Sequence, residues 1–536
     1  MRVAIIAPPY PLEEAPAPPL GVCYVAAAFE SAGCDVRIFD FMVTGYTREK
    51  LKARMEEFAP HVVGSTSVTM NFPQAARIIA DVKAIDPAAI TIMGGPHVTF
   101  RAVETLVENP ALDMIVVGEG EHTIAELAPC LTDRKAWKNI AGLAFRDNGG
   151  IVTTPARELI QDLDSLPPPA RHLLPLSRYK ALGFPVSIIT SRGCPNKCVF
   201  CQGRRMVGHK VRYRDTRLVA DEIEFLLSLG FERINVADDL FTSNKRRVRE
   251  VCDAIRQRGL RFGWTAFARV NTVDDETVAI MKEAGCDCIS FGIESGNPDM
   301  LARIRKGITL DQARKAVAAC KKAGVLAHAS FMVGLPGETR QTLADSDAFA
   351  RSLDIIYGYH FLAPFPGTTV YEEIDNYDLE ILTRDWSLYD ANRPVVRTSQ
   401  VSAQDQIDHV AKFEAECDAE WQRIRELYEK GTIDPTNKLR VEGERRLGLV
   451  YRILTEDLIE AHGKVPAERA KDREAALSLL KDRLVGATGG DPGVMQAALN
   501  HFTSKGLLEL FPGQEAAFWA WCSNPTRPGM VGGQAR

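Results

Sequence analysis

Three cysteines that lie close together in the chain are the residues best placed to do chemistry. Cys194, Cys198 and Cys201 are spaced C-x3-C-x2-C and follow shortly after an apolar run at 185–190. Three thiolates on one short loop can hold three irons of a four-iron, four-sulfur cluster, which leaves the fourth iron open. A substrate or cosubstrate can coordinate an open metal position. The spacing therefore predicts a catalytic [4Fe-4S] cluster with these three metal ligands.

Other roles for these cysteines are weaker alternatives. A disulfide framework fits poorly, because three is an odd number and the N-terminus carries no secretory signal. A structural zinc site would need a fourth ligand, which His209 could supply, although zinc sites usually pair their cysteines as two C-x2-C clasps. Cys286 and Cys288 alternate on a predicted strand, and a second cluster there is a further alternative.

The cysteine loop resembles the cluster motif of the radical S-adenosylmethionine (SAM) enzymes. The resemblance implies that the amino and carboxylate groups of SAM chelate the open iron. One electron from the cluster then cleaves SAM to a 5'-deoxyadenosyl radical. It also implies that Phe200 lies near the SAM adenine, that Glu294 contacts the SAM amino or ribose groups, and that Gly334 belongs to a turn at the ribose and adenine.

Two further positions are candidates for binding SAM. Asp238 and Asp239 end a predicted strand in the sequence Asp-Asp-Leu-Phe-Thr, which resembles a motif of the same enzymes. These carboxylates either hydrogen-bond SAM or substrate, or cap the following helix. Arg269 follows the next predicted strand and is a candidate partner for the SAM carboxylate, since a guanidinium pairs with carboxylates through two hydrogen bonds.

The composition restricts the remaining possibilities. The 536 residues carry a net charge of −5 and a sequence pI of about 6.1, so we expect no nucleic-acid partner. Hydrophobic residues make up 46% and charged residues 25%, as in ordinary globular proteins. No apolar stretch is long enough to predict a transmembrane segment. We therefore expect a cytoplasmic protein, which could still touch a membrane surface if its substrate is a lipid.

Residues 1–140 alternate short β-branched runs with amphipathic segments, which predicts an α/β fold with a doubly wound, Rossmann-like parallel sheet. We expect strands at 3–7, 36–39, 62–65, 90–93 and 114–117. Ligands of such sheets bind at the loops beyond the carboxyl ends of the strands. Glycine is frequent in those loops and lets a bulky ligand approach the backbone closely.

Three segments of this first domain, residues 18–27, Gly-Gly-Pro-His at 94–97 and Val-Gly-Glu-Gly-Glu at 117–121, resemble the cobalamin-binding domain that precedes the cluster domain in one large group of radical SAM enzymes. The resemblance implies that cobalamin binds at the loops after the strands. The candidate cobalamin-binding residues are Gly21, Met42, Ser65, Gly94, Gly95, Gly118 and Glu119. Met42 occupies the position where cobalamin modules place the histidine that ligates cobalt. The lower face of cobalt is then left to a weak ligand, to water or to nothing, and loss of the cofactor is the alternative.

The rest of the chain divides into three parts. Residues 141–184 contain a proline-stiffened stretch and are predicted to be a linker. Residues 185–384 resume the alternation with six βα units, which matches the partial (β/α)6 barrel of radical SAM enzymes. Barrel chemistry takes place at the carboxyl ends of the strands, where the candidate residues lie. Residues 385–536 are predicted to form a helical C-terminal region.

The resemblances together imply a cobalamin-dependent radical SAM methyltransferase acting on an unactivated carbon. Such an enzyme uses two SAM molecules, one as methyl donor to cobalamin and one as radical source. The alternatives are an anaerobic cyclase or hydroxylase of the magnesium-protoporphyrin ester cyclase type, a radical SAM enzyme that has lost cobalamin, a methylthiotransferase, and a cobalamin sensor or carrier without catalysis. The expected partners are a small-molecule or lipid substrate and an electron donor such as flavodoxin or ferredoxin.

Overall fold

A seven-stranded sheet forms the N-terminal part of the chain, for which a computed structural model describes residues 1–12 and 15–522. The strands are β1 (Arg2–Ala7), β2 (Asp35–Asp40), β3 (Val62–Thr66), β4 (Ile90–Gly94), β5 (Met114–Val116), β6 (Leu143–Asp147) and β7 (Gly150–Thr153). Their order is β2-β1-β3-β4-β5-β6-β7, and β1 to β5 run parallel. The helices are α1 (Leu20–Ser31), α2 (Arg48–Phe58), α3 (Phe72–Ile85), α4 (Pro96–Phe100), α5 (Ala102–Glu108) and α6 (Glu121–Leu127).

The five parallel strands appear where the sequence pattern predicts them. β1 is buried along almost its whole length, as expected for a strand covered by helices on both faces of a sheet. The sheet also extends beyond residue 140, because β6 and β7 add two antiparallel strands at its edge. The segment predicted to be a linker therefore contributes strands to the first sheet before it continues into α7 (Leu176–Leu182).

A six-stranded parallel sheet forms the second unit and confirms the predicted partial barrel. The strands of this part are β8 (Val186–Ile188), β9 (Ser191–Arg192), β10 (Arg212–Tyr213), β11 (Arg233–Val236), β12 (Gly263–Ala268), β13 (Cys286–Glu294), β14 (Leu326–Val333) and β15 (Ile356–Phe361). The barrel order is β15-β14-β13-β12-β11-β8, whereas β9 and β10 form a separate hairpin. The helices are α8 (Gly203–Val207), α9 (Thr216–Ser228), α10 (Lys245–Gln257), α11 (Asp275–Glu283), α12 (Pro298–Arg303), α13 (Leu310–Ala323), α14 (Arg340–Ser352) and α15 (Thr369–Glu372).

The C-terminal region is mainly helical, as predicted. After two short strands, β16 (Glu380–Ile381) and β17 (Val396–Arg397), it contains α16 (Ala403–Glu429), α17 (Pro435–Thr455), α18 (Leu458–His462), α19 (Ala467–Ala470), α20 (Arg473–Thr488) and α21 (Pro492–Ser504). A small antiparallel sheet that the sequence analysis missed joins β18 (Lys464–Pro466), β20 (Ala516–Trp521) and β19 (Leu508–Phe511). The last residues of the predicted region, 523–536, lie outside the described part of the chain.

The C-terminal region packs against the first domain. The Tyr451 hydroxyl donates a hydrogen bond to the backbone oxygen of Tyr10 at 3.0 Å. Arg178 of α7 donates to Val43 O at 3.0 Å and pairs with Asp457 at 3.0 Å, so it connects the segment before the barrel to the first domain and to the C-terminal region. Among the described residues, no helix combines the length and the apolar character that a membrane span requires.

Candidate active site between the two domains

The β9–β10 hairpin carries the three cysteines in its loop. The two strands pair antiparallel through Arg192 with Arg212 and Ser191 with Tyr213. The loop closes on itself because the Cys194 amide donates to the backbone oxygen of Gly208 at 3.1 Å. Gly193, which precedes the first cysteine, has a φ of 114°, a conformation that favours glycine. The strand pair thus fixes both ends of a loop that brings the three thiols together.

Each of the three thiols has a hydrogen-bond donor near its sulfur. The donors are Asn196 Nδ2 at 3.3 Å from Cys194 Sγ, Arg269 Nη1 at 3.4 Å from Cys198 Sγ, and the Gly203 amide at 3.4 Å from Cys201 Sγ. Such donors favour a negatively charged sulfur. The donor set therefore suits thiolates that bind iron. Within the described residues, no group of three or more His, Cys, Asp or Glu side chains is arranged to hold a single metal ion.

The surroundings of Cys201 favour its protonated form while no metal is bound. Burial of its thiol raises the pKa to about 11, and the neighbouring Cys198 and Cys194 act in the same direction. Iron binding must then release protons, because only the thiolate is a metal ligand. Both neighbouring thiols thus act on the pKa of Cys201.

Asp238 and Asp239 support the cysteine loop from the end of β11. Asp238 accepts hydrogen bonds from the Thr190 amide, the Thr190 hydroxyl and the Ser191 hydroxyl, each at 2.6 Å. Asp239 accepts from the Gly193 amide at 3.1 Å. Burial raises the pKa of both carboxyl groups. Both residues thus hold the entry to the cysteine loop, and their contact with SAM stays a prediction.

Glu294, Arg269 and Phe200 meet around a residue that the sequence analysis missed, Lys306. Lys306 Nζ donates to Glu294 Oε1 at 2.7 Å, and both side chains are more than nine-tenths buried. The same ammonium group lies 5.5 Å from the centre of the Phe200 ring. Arg269 donates to the Lys306 backbone oxygen and reaches Cys198 with its other terminal nitrogen.

This arrangement leaves hydrogen-bonding capacity for a ligand. The Nε of Arg269 is buried and has no hydrogen-bond partner within the described residues. Glu294 ends β13 with a φ of 73°, a left-handed conformation that is uncommon outside glycine and often occurs at functional sites. The free donor of Arg269 and the carboxylate of Glu294 fit a SAM molecule bound at the cluster. The individual contacts with SAM stay predictions.

Gly334 lies in a turn after β14 that the C-terminal region covers. It has a φ of 85°, and Gln406 of α16 lies against the side where a side chain would project. Glu338 closes the turn by accepting a hydrogen bond from the Gly334 amide at 2.6 Å. Burial raises the pKa of Glu338 to about 8, so this carboxyl group is mostly neutral at pH 7. A contact between Gly334 and SAM stays a prediction.

A cavity of about 290 Å³ lies beyond the carboxyl ends of the first sheet. Six of the seven candidate cobalamin-binding residues line it: Gly21, Ser65, Gly94, Gly95, Gly118 and Glu119. A Cβ added at Gly21 or Gly118 would meet no protein atom within 4 Å, so these two glycines keep the cavity open. A side chain at either position would fill space that a bulky planar cofactor can use.

Met42 does not line this cavity. Its side chain is buried in the hydrophobic core, and its amide donates to Asp40 Oδ1 at 2.8 Å. The loop after β2 is fixed further because the Tyr179 hydroxyl donates to Asp40 Oδ2 at 2.7 Å. The structure thus places Met42 apart from the other six candidates.

The barrel domain closes the opposite side of the cavity. Arg192 of β9 and Met206 and Val207 of α8 belong to its lining. In the chain, Arg192 precedes the three cysteines, and Met206 and Val207 follow them within the same loop. The cavity and the cysteine loop therefore share one wall, which brings the two predicted cofactor sites next to each other.

A buried network of two carboxylates and two guanidinium groups connects the domains at this wall. Glu119 pairs with Arg212 at 2.8 Å and with Arg192 at 3.1 Å, and Glu121 pairs with Arg192. The Ile160 amide donates to Glu119 at 2.8 Å. Burial alone would raise the pKa of Glu119, but the hydrogen bond from Arg212 and the charge of Arg192 outweigh it and lower the pKa. The sequence analysis identified Glu119 but not its arginine partners.

Two family models match the chain in the order that the architecture suggests. Residues 14–128 match the B12 binding domain, and residues 188–350 match the Radical SAM superfamily. An uncharacterized methyltransferase of Pyrococcus horikoshii is 38% identical over 390 residues, which are 72% of this chain and 84% of the relative. The anaerobic magnesium-protoporphyrin IX monomethyl ester cyclase of Cereibacter sphaeroides is 30% identical over 73% of this chain and 66% of the relative.

Solved structures share the fold of almost the whole chain. The radical S-adenosylmethionine methyltransferase TsrM of Kitasatospora setae, solved with cobalamin and a [4Fe-4S] cluster, has a TM-score of 0.64 at 19% identity and covers 94% of this chain and 98% of its own. The cobalamin-dependent S-adenosylmethionine radical enzyme OxsB, solved with aqua-cobalamin and S-adenosylmethionine, has a TM-score of 0.66 at 15% identity, with 94% and 83% covered. By its domains and relatives, the chain belongs to the cobalamin-binding radical SAM enzymes, whose cofactors are a [4Fe-4S] cluster, SAM and cobalamin.

Proposed function

We propose that this enzyme transfers a methyl group from SAM, by way of cobalamin, to an unactivated carbon of a small molecule or lipid. The observation that carries the proposal is the cavity shared by both domains, where Gly21 and Gly118 face Met206 and Val207. When bound, the cluster supplies the electron that cleaves SAM, and cobalamin carries the methyl group. A substrate radical formed at the cluster would then lie within reach of the methyl carrier.

The residues of the chain position these groups and exclude water. Cys194, Cys198 and Cys201 would hold the cluster at the mouth of the barrel. The buried pair of Lys306 and Glu294 offers a fixed positive and a fixed negative group for SAM beside Cys198. Abstraction of a hydrogen atom needs no general base, and these residues do not form an acid–base pair directed at a substrate.

The cyclase reaction is the second candidate, because the Cereibacter sphaeroides relative shares 30% identity with this chain. SAM with a deuterated methyl group separates the two functions. A methyltransferase places the deuterated methyl in a carbon-bound product when holoenzyme is incubated with small-molecule and lipid extracts. A cyclase or hydroxylase leaves the product unlabelled. The Cys198→Ser protein, reconstituted in the same way, is the matched control, because without its cluster it should yield neither product nor 5'-deoxyadenosine.

We also propose that a flavodoxin or ferredoxin reduces the cluster by docking on the cysteine loop. Lys197, Arg205 and Lys210 are exposed on this loop, and none of them forms an ion pair with another described residue. They give an acidic chain of net charge −5 a local basic surface around the cysteine loop. Electrostatic complementarity favours an acidic electron carrier there.

Charge reversal tests the docking site directly. Lys197→Glu and Lys210→Glu together should lower the rate of SAM cleavage supported by reduced flavodoxin at least tenfold at low salt. Cleavage supported by dithionite should stay unchanged, because a small reductant needs no docking surface. An equal loss with both reductants would contradict the proposal.

We also propose that the reaction takes place in the cytoplasm. Thiols stay reduced there, and all twelve cysteines of the chain are free.

A further inference from the structure

One wall of the barrel presents a row of side chains to its interior that has no role in the site described above. Residues on β12, β13 and β14 alternate between buried positions, which pack against the surrounding helices, and half-exposed or exposed positions on the other face, and the register with β14 continues that face onto β15. The side chains on this inner face are Phe267, Ser290, His328, Ser330, Met332 and His360. Alternation is the rule along a strand, so all of them point into the barrel.

His328 and His360 lie on neighbouring strands of this inner face. The register pairs His328 with Ile356, Ser330 with Gly358 and Met332 with His360, so the two histidines lie four positions apart along the strands, one on each side of Gly358. Burial lowers the pKa of His328, and the charge of His360 acts in the same direction. No hydrogen bond from another described residue reaches either ring. Two imidazoles therefore face the interior with their hydrogen-bonding capacity free.

Open space separates the two histidines. Gly358 lies between them on β15, and a Cβ added there would meet no atom within 4 Å. Across the sheet, the space over Gly292 is instead filled by Glu294 and Lys306. The interior is thus divided into one side occupied by the buried ion pair near Cys198 and one side that is empty beside Gly358.

The charges and apolar groups around this space indicate what would fill it. The carboxylates on β13 are both paired, Asp287 with Arg233 and Glu294 with Lys306, and the inner-face positions of β14 and β15 carry no carboxylate among the described residues. Imidazole groups without an unpaired carboxylate beside them favour an anion, because even a neutral imidazole can donate a hydrogen bond. Phe267, which is 49% exposed, and Met332 add apolar surface. Met332 packs in the same cluster as Phe200, close to the cysteine loop.

We propose that this wall is the substrate site and that the substrate is a small molecule with an anionic oxygen group, a carboxylate or a phosphonate. His328 and His360 bind that group at the empty space beside Gly358. The apolar part of the substrate lies on Phe267 and Met332 and reaches toward the cluster. This inference rests on the proposed function, since it identifies the substrate class of that reaction.

Ligand binding can be measured without the complete reaction. Saturation-transfer NMR on cluster- and cobalamin-loaded enzyme would compare benzoate, phenylphosphonate and the neutral benzamide. At least one of the two anions should bind tenfold or more tightly than benzamide, and the tighter anion identifies the group. His328→Asn and His360→Asn should each weaken its binding at least tenfold, whereas His501→Asn on α21 should not change it. Gly358→Leu should abolish binding while iron content and circular dichroism stay as in the wild type.

Two results would overturn the proposal. One is that benzamide binds as tightly as both anions. The other is that the anions bind equally well to the His328→Asn, His360→Asn and Gly358→Leu variants. Because the assay does not depend on methyl transfer, a failed labelled-methyl experiment together with histidine-dependent anion binding would refute the reaction but not the site. Methyl transfer to a substrate whose turnover ignores both histidines would refute the site but not the reaction.

Discussion

Replacing Glu119 should lower the stability of the protein far more than replacing a residue of a surface ion pair, because Glu119 belongs to the buried network that connects the two domains. The side chains of Glu119, Arg212 and Arg192 are 4%, 5% and 10% exposed, so their charges cannot be solvated once a partner is removed. Removing one partner of a buried ion pair costs about 3–5 kcal/mol, because the remaining charge stays buried and uncompensated. Glu119→Ala should therefore lower the free energy of unfolding by about that amount. Glu119→Gln should cost less, because its amide oxygen can still accept hydrogen bonds.

Glu126 provides the matched control. It also pairs with an arginine, Arg157, through two hydrogen bonds, but its side chain is 54% exposed. An exposed pair contributes only about 0–1 kcal/mol, so Glu126→Gln should leave stability almost unchanged. Urea unfolding at pH 7, followed by the same spectroscopic signal in all variants, measures the difference. Equal stability of the Glu119→Ala and Glu126→Gln proteins would refute the reasoning.

The same pair makes a prediction about pH. The folded-state pKa of Glu119 is below its unfolded value, so its contribution to stability is present above the unfolded pKa of about 4.3 and is lost as pH falls through the folded pKa. The difference in stability between wild type and Glu119→Gln should therefore be constant from pH 6 to 8 and shrink below about pH 4. A difference that persists unchanged in acid would show that charge is not its source.

Three further predictions concern separate parts of the site. Lys306→Met should abolish most SAM cleavage, measured as 5'-deoxyadenosine, because it leaves Glu294 charged, buried and unpaired; cleavage at the wild-type rate would contradict this role. Gly21→Phe should lower cobalamin stoichiometry at least tenfold without loss of iron, since the new ring enters the cavity, and retained cobalamin would place the cofactor elsewhere. Burial raises the pKa of Glu338 to about 8, so wild-type stability should fall as pH rises from about 4.5 to 8 relative to Glu338→Gln, as measured by urea unfolding; parallel pH profiles would contradict the buried neutral carboxyl group.

The sequence pattern was sufficient to predict the parallel strands of both domains. The strands of the first sheet are largely buried on both faces, and most barrel strands are buried on the side that faces the helices, which makes the apolar pattern strong; all eleven predicted strands appear close to their expected positions. β6 and β7 were missed because the apolar part of β6 is only three residues long and β7, at the edge of the sheet, has no buried residue. The sheet of β18, β20 and β19 was also missed: three helices separate β18 from β20, so that pairing depends on contacts distant in sequence, whereas β19 and β20 form a local hairpin that the sequence analysis did not identify.

Motifs identified single residues of the site but not their partners. The cysteine spacing is local and needs no knowledge of the fold. Lys306 lies twelve residues after Glu294 and meets it only because α12 returns the chain to the end of β13. Arg192 and Arg212 belong to a hairpin, and their pairing with Glu119 of the other domain has no signal in a single sequence. The inner-face histidines depend on strand register, which the sequence pattern does not define.

The central claim is that one chain holds a [4Fe-4S] cluster and cobalamin on the two sides of one wall. Iron and cobalamin stoichiometry after anaerobic reconstitution with iron, sulfide and hydroxocobalamin, measured on desalted protein, tests it most directly. We predict about four irons and about one cobalamin per chain, with loss of the iron alone in Cys198→Ser and of the cobalamin alone in Gly21→Phe. A chain that binds its irons but retains no cobalamin would contradict the claim and would assign the cavity at Gly21 to another ligand.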